Sequence, residues 1–191
     1  MRQRLLEATV QCLAEYGWSG TSTTLISQRA GVSRGAQLHH FPTKNDLVVA
    51  AVEHLAMVRR DELAQAADAL AEGPGRTRAV LQMLGEHFTS DVFAAALDLW
   101  VAARSDEALL AALVPFERVT GRETHKLTVE MLDADESQPG ARELVQATLD
   151  LIRGLGLANT ISNDAARRAR ILDRWAAVLT DELPRRNKEN R

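Results

Sequence analysis

Arg34, Gln37, His39 and His40 crowd one short stretch between Ser33 and Pro42. Side chains of this kind donate hydrogen bonds, and little of the segment is left for packing: Ala36, Leu38 and Phe41 are its packing candidates. Just upstream, Leu25, Ile26 and Ala30 share one helical face, and Gly31-Val32 makes a corner before Ser33. Gly31 supplies a backbone position tolerant of positive φ, and Val32 can plug the angle between two helices. A donor-rich helix held up by an apolar one is the arrangement that enters a DNA major groove. A surface helical hairpin that contacts nothing has the same local pattern.

Enzymatic chemistry finds no footing. The chain contains no HExxH, GxxxxGK[ST] or GxSxG run and only one cysteine, Cys12, which excludes a disulfide framework or a multi-thiolate metal site. Cys12 lies near the apolar face of the first helix and reads as a small buried hydrophobe. The five histidines, His39, His40, His54, His87 and His125, are not paired at metal spacing with another acid or thiol. Adjacent His39 and His40 point about 100° apart on a helix and cannot share a metal comfortably. No catalytic residue, metal or cofactor is expected.

The flanks of the donor-rich stretch position it. A first helix is predicted from about Arg2 to Tyr16, with Leu6, Val10 and Leu13 at helical spacing, ended by Gly17 and followed by a Trp18-Ser19-Gly20 loop. Ser22 is the expected N-cap of the next helix, with Thr23 and Thr24 in its first turn. A helix N-terminus suits a phosphate, although capping alone explains Ser22. Pro42 stops the donor-rich helix and Thr43 caps a long fourth one, whose apolar positions from Leu47 to Leu70 extend it to about Ala71. That is roughly 28 residues, or about 40 Å. Glu72-Gly73-Pro74-Gly75 then breaks the chain.

Composition excludes other classes. The 191 residues are 46% apolar and 26% charged, as in ordinary globular proteins, and aromatics are only 4%, which favours helix packing over sheets. No run approaches the roughly 20 apolar residues that span a bilayer, and the N-terminus lacks a signal pattern, so a cytoplasmic protein is expected. Net charge is −3, but residues 1–47 carry five cations against three carboxylates, leaving +2 there and −5 on the remainder. A slightly basic module on an acidic body suits contact with phosphate at one end.

Beyond residue 75 only helical periodicity is found. Helices are expected over about 76–89 and 91–103. A third starts at Asp106 and is interrupted by Pro115 before helical spacing resumes. Two terminal helices, 141–159 and 164–183, carry apolar arcs wider than one buried face needs. Their stripes, Leu144, Thr148, Leu151 and Leu155 on one and Leu172, Ala176 and Leu179 on the other, are the expected homodimer interface. Ile171, Trp175 and Val178 widen the second. A deeply central helix pair would read similarly. Residues 184–191, PRRNKENR, read as a disordered basic tail.

The run from Ser22 to Leu47, STTLISQRAGVSRGAQLHHFPTKNDL, closely resembles the DNA-binding signature of the tetracycline-repressor (TetR) family of transcriptional regulators. The matching pieces are the hydroxyls before Ile26, Ala30-Gly31-Val32-Ser33, Gly35, His40-Phe41 and Lys44 before Leu47. The resemblance is specific over about residues 1–55 and only architectural beyond. It implies an all-α fold of about nine helices: a three-helix helix-turn-helix module over 1–47, joined by the long fourth helix to a ligand-binding and dimerisation domain over 48–183. It implies DNA contacts from Thr23, Thr24, Ser33, Arg34, Gly35, Ala36, Gln37, Leu38, His39 and His40, with Lys44 as a phosphate contact. Arg34 is the best specificity candidate, because arginine can bond guanine O6 and N7 together. The chain departs from the family where Gln37-Leu38 replaces leucine-tyrosine. A phosphate-bonding hydroxyl is lost there, and Gln37 either reads a base edge or turns inward.

The resemblance also implies a mechanism. A homodimer places two recognition helices in successive major grooves of a palindromic operator, roughly 34–36 Å apart. A small-molecule effector in the helical body favours a conformation that breaks this spacing. Pocket candidates are Met83, His87, Phe88, Phe93, Leu97, Trp100, Arg104, Phe116 and His125, the two histidines being read as core or pocket histidines rather than catalytic ones. Two alternatives remain: a helix-turn-helix regulator without a ligand pocket, and an all-helical interaction dimer with no DNA role.

Overall fold

The structure, a computed structural model, describes residues 1–71, 73 and 75–186. Among them are nine helices: α1 (Arg2–Gly20), α2 (Thr23–Ala30), α3 (Arg34–His40), α4 (Lys44–Asp68), α5 (Arg76–His87), α6 (Asp91–Ala103), α7 (Glu107–Leu132), α8 (Ala141–Asn159) and α9 (Ala165–Glu182). The described residues form no sheet; a single antiparallel bridge joins Ala134 to Arg185.

The helices gather into two compact units. Unit 1 comprises Met1–Arg59 and Asp91–Thr120, and unit 2 comprises Arg60–Ser90 and the chain from Gly121 onward. By packing, then, the first unit reaches past residue 47 and takes in α6 and the first half of α7. The cause is a second apolar cluster, in which Leu13, Val48 and Val52 meet Ala95, Leu99, Leu109 and Phe116. Burying each leucine of this kind contributes roughly 1.5–3 kcal/mol.

The other cluster of unit 1 holds the first three helices together. Leu5, Leu6 and Cys12 of α1 meet Ile26 and Ala30 of α2, Val32 of the turn, Phe41, and Leu47 and Ala51 of α4. Leu5, Ile26 and Leu47 are completely buried, so α3 rests on a rigid base rather than contributing much to it.

Several local features depart from the sequence pattern. Gly17 does not end α1; it kinks it at φ 64° and ψ −175°, and helical backbone resumes to Gly20. An added Cβ at Gly17 would also lie 3.3 Å from an Asp98 carboxylate oxygen. Thr43 and Asp46 cap α4 reciprocally, each backbone N–H donating to the other's side chain at 3.1 Å, but the helix ends at Asp68. Pro115 lies inside α7 without breaking it. Proline removes one helical hydrogen bond, and both Pro115 and Ala111 four residues earlier are exposed, where water can take the freed carbonyl.

Unit 2 is tied by polar contacts around an apolar centre. Arg78 grips Asp173 with two bonds of 2.6 and 3.0 Å, and Thr148 accepts from the Trp175 indole at 2.9 Å. The expected break at 72–75 includes Glu72 and Pro74, which lie outside the described residues. The expected tail begins differently from the sequence reading: Asp135 N–H donates to the Pro184 carbonyl, Arg186 N–H to the Asp133 carbonyl, and the Arg185 guanidinium to Thr77 Oγ1 and the Leu132 carbonyl. Residues 184–186 are therefore pinned, because three donors there find buried or half-buried acceptors; residues 187–191 lie outside the described part.

Candidate nucleic-acid interface

The α2–turn–α3 corner is set by capping. Ser22 Oγ accepts from Leu25 N–H at 3.2 Å and starts α2. Gly31, at φ 61° and ψ 41°, closes it in the left-handed region where only glycine sits without a Cβ penalty. Val32 N–H then returns to the Ser27 carbonyl at 3.0 Å, and Ser33 Oγ accepts from Ala36 N–H at 3.2 Å to open α3.

The rotation of α3 about its axis follows from Gln37. This side chain is fully buried, and its Nε2 donates to the Phe41 carbonyl at 2.7 Å. Of the two sequence alternatives for Gln37, the inward one holds, so it is removed from the groove-facing set. Leu38, a packing candidate by its type and a DNA contact by the resemblance, is 45% exposed. Leu38 lies about 100° round the helix from Gln37, and here it is Gln37 that points at the base while Leu38 points away from it. Arg34, Gly35, His39 and His40 are exposed, and Ala36 is half-buried. Thr24 is exposed and Thr23 half-buried at the start of α2.

Gly35 has no internal explanation. A Cβ built there would meet nothing within 4 Å, yet an exposed helical glycine costs about 1 kcal/mol against alanine. Bare backbone at this point leaves room for another molecule to approach closely.

Cations surround this face. Lys44 donates to the Trp18 carbonyl at 2.6 Å, with its ammonium 3.8 Å from the Trp18 ring centre. Burial lowers its pKa from the ordinary lysine value, opposed by the Asp106 carboxylate. Two arginines were not singled out by sequence spacing. Arg2 stacks over the Phe41 ring at 5.5 Å, and an Arg4 guanidinium nitrogen lies 4.0 Å from where a Gly31 Cβ would sit. Their only sequence signal was the positive balance of residues 1–47. Arg29 is occupied, paired with Glu15 at 2.5 Å and stacked over Tyr16 at 5.6 Å.

Known proteins share this arrangement. Residues 5–51 match the model of the bacterial regulatory proteins of the tetR family. The HTH-type transcriptional regulator CymR of Pseudomonas putida is 31% identical over 178 residues, spanning 88% of this chain and 83% of its own. The chain belongs to the tetR family of bacterial regulatory proteins. Among solved structures, a transcriptional regulator from Rhodococcus sp. Rha1 has the same fold, with a TM-score of 0.72, 21% identity and coverage of 97% and 99% of the two chains. The multidrug binding protein EbrR, in a complex with imidazole, matches with a TM-score of 0.65 and 22% identity over 99% and 98%.

This TetR-family protein is a DNA-binding transcriptional regulator, and α2, the turn and α3 all lie within the matched residues. No group of three or more His, Cys, Asp or Glu among the described residues could hold a metal ion, and no described helix is long and apolar enough to cross a membrane.

The expected pocket residues fall in both units. In unit 1, Phe93 and Trp100 meet edge to face at 5.9 Å, the Trp100 indole donates to Glu117 at 2.6 Å, and Phe116 is buried in the Leu99 cluster. Leu97 is half-buried and Arg104 exposed. In unit 2, His87 packs edge to face on Phe88 at 5.1 Å beside half-buried Met83. His125 is not set among apolar side chains: it bonds Glu136 at 2.6 Å and lines an open cleft of about 820 Å³ with Arg122, Lys126, Arg142 and Arg153.

The expected dimer stripe is also corrected. Thr148, Leu155, Leu172, Ala176 and Leu179 are buried within this one chain, Leu172 reaching within 3.0 Å of a Cβ placed on Gly85. Four-residue spacing found the protomer's own core seam. Leu144, Leu151, Ile171, Trp175 and Val178 are among the apolar side chains left half-exposed. Leu151, Ile171 and Trp175 floor a groove of about 390 Å³ rimmed by Arg167, Arg170 and Arg174.

Proposed function

We propose that this regulator is a repressor that binds a palindromic operator as a homodimer in the cytoplasm and leaves it when a small molecule occupies its helical body. The observation that carries the DNA half of this reading is the outward face of α3, where Arg34, His39 and His40 flank an unpacked Gly35 above a completely buried base. Thr23, Thr24, Ser33, Ala36, Leu38 and Lys44 complete the contact set. Once DNA arrives, Lys44 exchanges the Trp18 carbonyl for a phosphate oxygen, and Arg2 and Arg4 add to the electrostatic attraction.

A two-fold dimer presents two α3 helices to two half-sites, which matches operator symmetry to protein symmetry. The half-exposed Leu151, Ile171 and Trp175 supply an apolar face of the kind such a dimer buries. An effector acts only through the difference in its affinity for the DNA-competent and released conformations. EbrR has been solved with imidazole and with ethidium, which supports a small aromatic molecule as the class of effector here. Its candidate contacts are Phe93, Leu97, Trp100, Arg104 and Phe116 within unit 1 or, as a separate candidate site, Met83, His87, Phe88 and His125 within unit 2.

The test is a thermal-shift screen of aromatic and apolar compounds, followed by fluorescence anisotropy on DNA selected by the purified protein. A compound that raises the melting temperature and releases DNA supports the reading. Binders that leave DNA affinity unchanged would instead favour a helix-turn-helix regulator without an effector switch.

A further inference from the structure

We infer that Leu38 reads the methyl group of a thymine in each operator half-site, within about two base pairs of the base that Arg34 reads. The inference rests on the DNA-binding reading above and adds what that surface recognises. Leu38 is the one large apolar side chain on the outward face of α3, and its 45% exposure leaves it without a full packing role inside the chain. Its direction is fixed, because the adjacent Gln37 is completely buried and bonded to the Phe41 carbonyl at 2.7 Å. The helix cannot roll to bring Leu38 inward without pulling a buried amide out.

Position and chemistry then select the target. Arg34 and Leu38 are four residues apart and lie one above the other on the same helical face. Their Cβ atoms are about 5–6 Å apart, while stacked base pairs rise about 3.4 Å. A side chain at Leu38 therefore meets an edge within about two base-pair steps of the one Arg34 meets. A leucine has no donor or acceptor to offer phosphate, sugar or a polar base edge. In the major groove the one apolar group is the thymine C5-methyl. Bare backbone at Gly35, between the two, lets the helix come close enough for a methyl contact.

The experiment uses the full chain and the half-site it selects from random DNA. Each thymine within the half-site is replaced in turn by deoxyuridine, which deletes the methyl and keeps every hydrogen-bonding group. Wild type is expected to lose about three- to fivefold in affinity at one such position within two base pairs of the Arg34-dependent guanine, the scale of one buried methyl. Leu38→Ala is expected to bind thymine and uracil operators equally, while keeping its melting temperature and salt dependence. Wild type indifferent to every deoxyuridine, or Leu38→Ala with the discrimination intact, overturns the inference. A protein that selects no sequence and forms no salt-sensitive complex overturns the DNA-binding reading itself, which is a separate result.

Discussion

Lys44 sits with its ammonium 3.8 Å from the Trp18 ring centre and its Nζ bonded to the Trp18 carbonyl at 2.6 Å. One cation thereby ties the start of α4 to the kinked end of α1. Lys44→Ala should lower stability by about 1 kcal/mol, the scale of one cation–π contact with a charge-assisted bond, and shift tryptophan fluorescence. On DNA the same change should reduce the slope of affinity against salt by about one phosphate contact. An unchanged slope with altered fluorescence would make Lys44 a structural tie only.

Burial holds the Lys44 pKa below the ordinary lysine value. The unfolded chain therefore binds more protons than the folded one between the depressed value and about 10.4, so this group's contribution to stability rises with pH across that alkaline window. Denaturant titrations of wild type and Lys44→Met should diverge there and run parallel at neutral pH. Parallel behaviour throughout would place the ammonium in water.

Gln37 Oε1 is buried without a hydrogen-bond partner, as is Ser27 Oγ. An unsatisfied buried acceptor costs on the order of 1–3 kcal/mol, and Nε2 recovers part of this through the Phe41 carbonyl. Gln37→Leu, nearly equal in volume, should raise the melting temperature and leave operator affinity within about twofold. A large loss of affinity would mean that Gln37 reaches DNA after all.

Cys12 is completely buried, and burial raises its thiol pKa above the ordinary value. Thiolate is the reactive form, so a thiol reagent should label the native protein no faster than it unfolds and should label it promptly in denaturant. Prompt native labelling would contradict the packing of α1.

The half-exposed Leu151 and Ile171 belong to the face proposed for dimerisation. Leu151→Asp with Ile171→Asp should halve the mass in sedimentation at micromolar concentration while helicity persists. Ala147→Asp, at an exposed α8 position, is a second probe of the same helix. A dimer that survives the double substitution would put the interface elsewhere.

The helices were legible in sequence because of their apolar spacing, helped at α2, α3 and α4 by the capping residues Ser22, Ser33 and Thr43 and by the glycine at 31. Rotation was less legible. Hydrophobicity points to Leu38 as the buried one of the adjacent pair, whereas Gln37 is the buried one, bonded to the Phe41 carbonyl, and Leu38 is exposed. The same ambiguity misassigned Thr148 and Leu172, since periodicity finds an apolar stripe without saying which neighbour covers it. His125 reads in sequence as a core or pocket histidine, but its partner Glu136 comes from the turn after α7, a contact no local pattern encodes. Pro115 shows the converse: a breaker by rule, tolerated at an exposed position inside α7.

In the proposed function the outward face of α3 reads DNA sequence. Fluorescence anisotropy at two salt concentrations, on the selected operator and on a scrambled duplex, tests it with wild type and Arg34→Ala. Wild type should prefer the operator by about 10³-fold or more and weaken steeply with salt. Arg34→Ala should lose about tenfold or more on the operator, beyond any loss on the scrambled duplex. Equal affinity of wild type for both duplexes, or an Arg34→Ala protein with its preference intact, would mean that Arg34 on α3 does not read sequence.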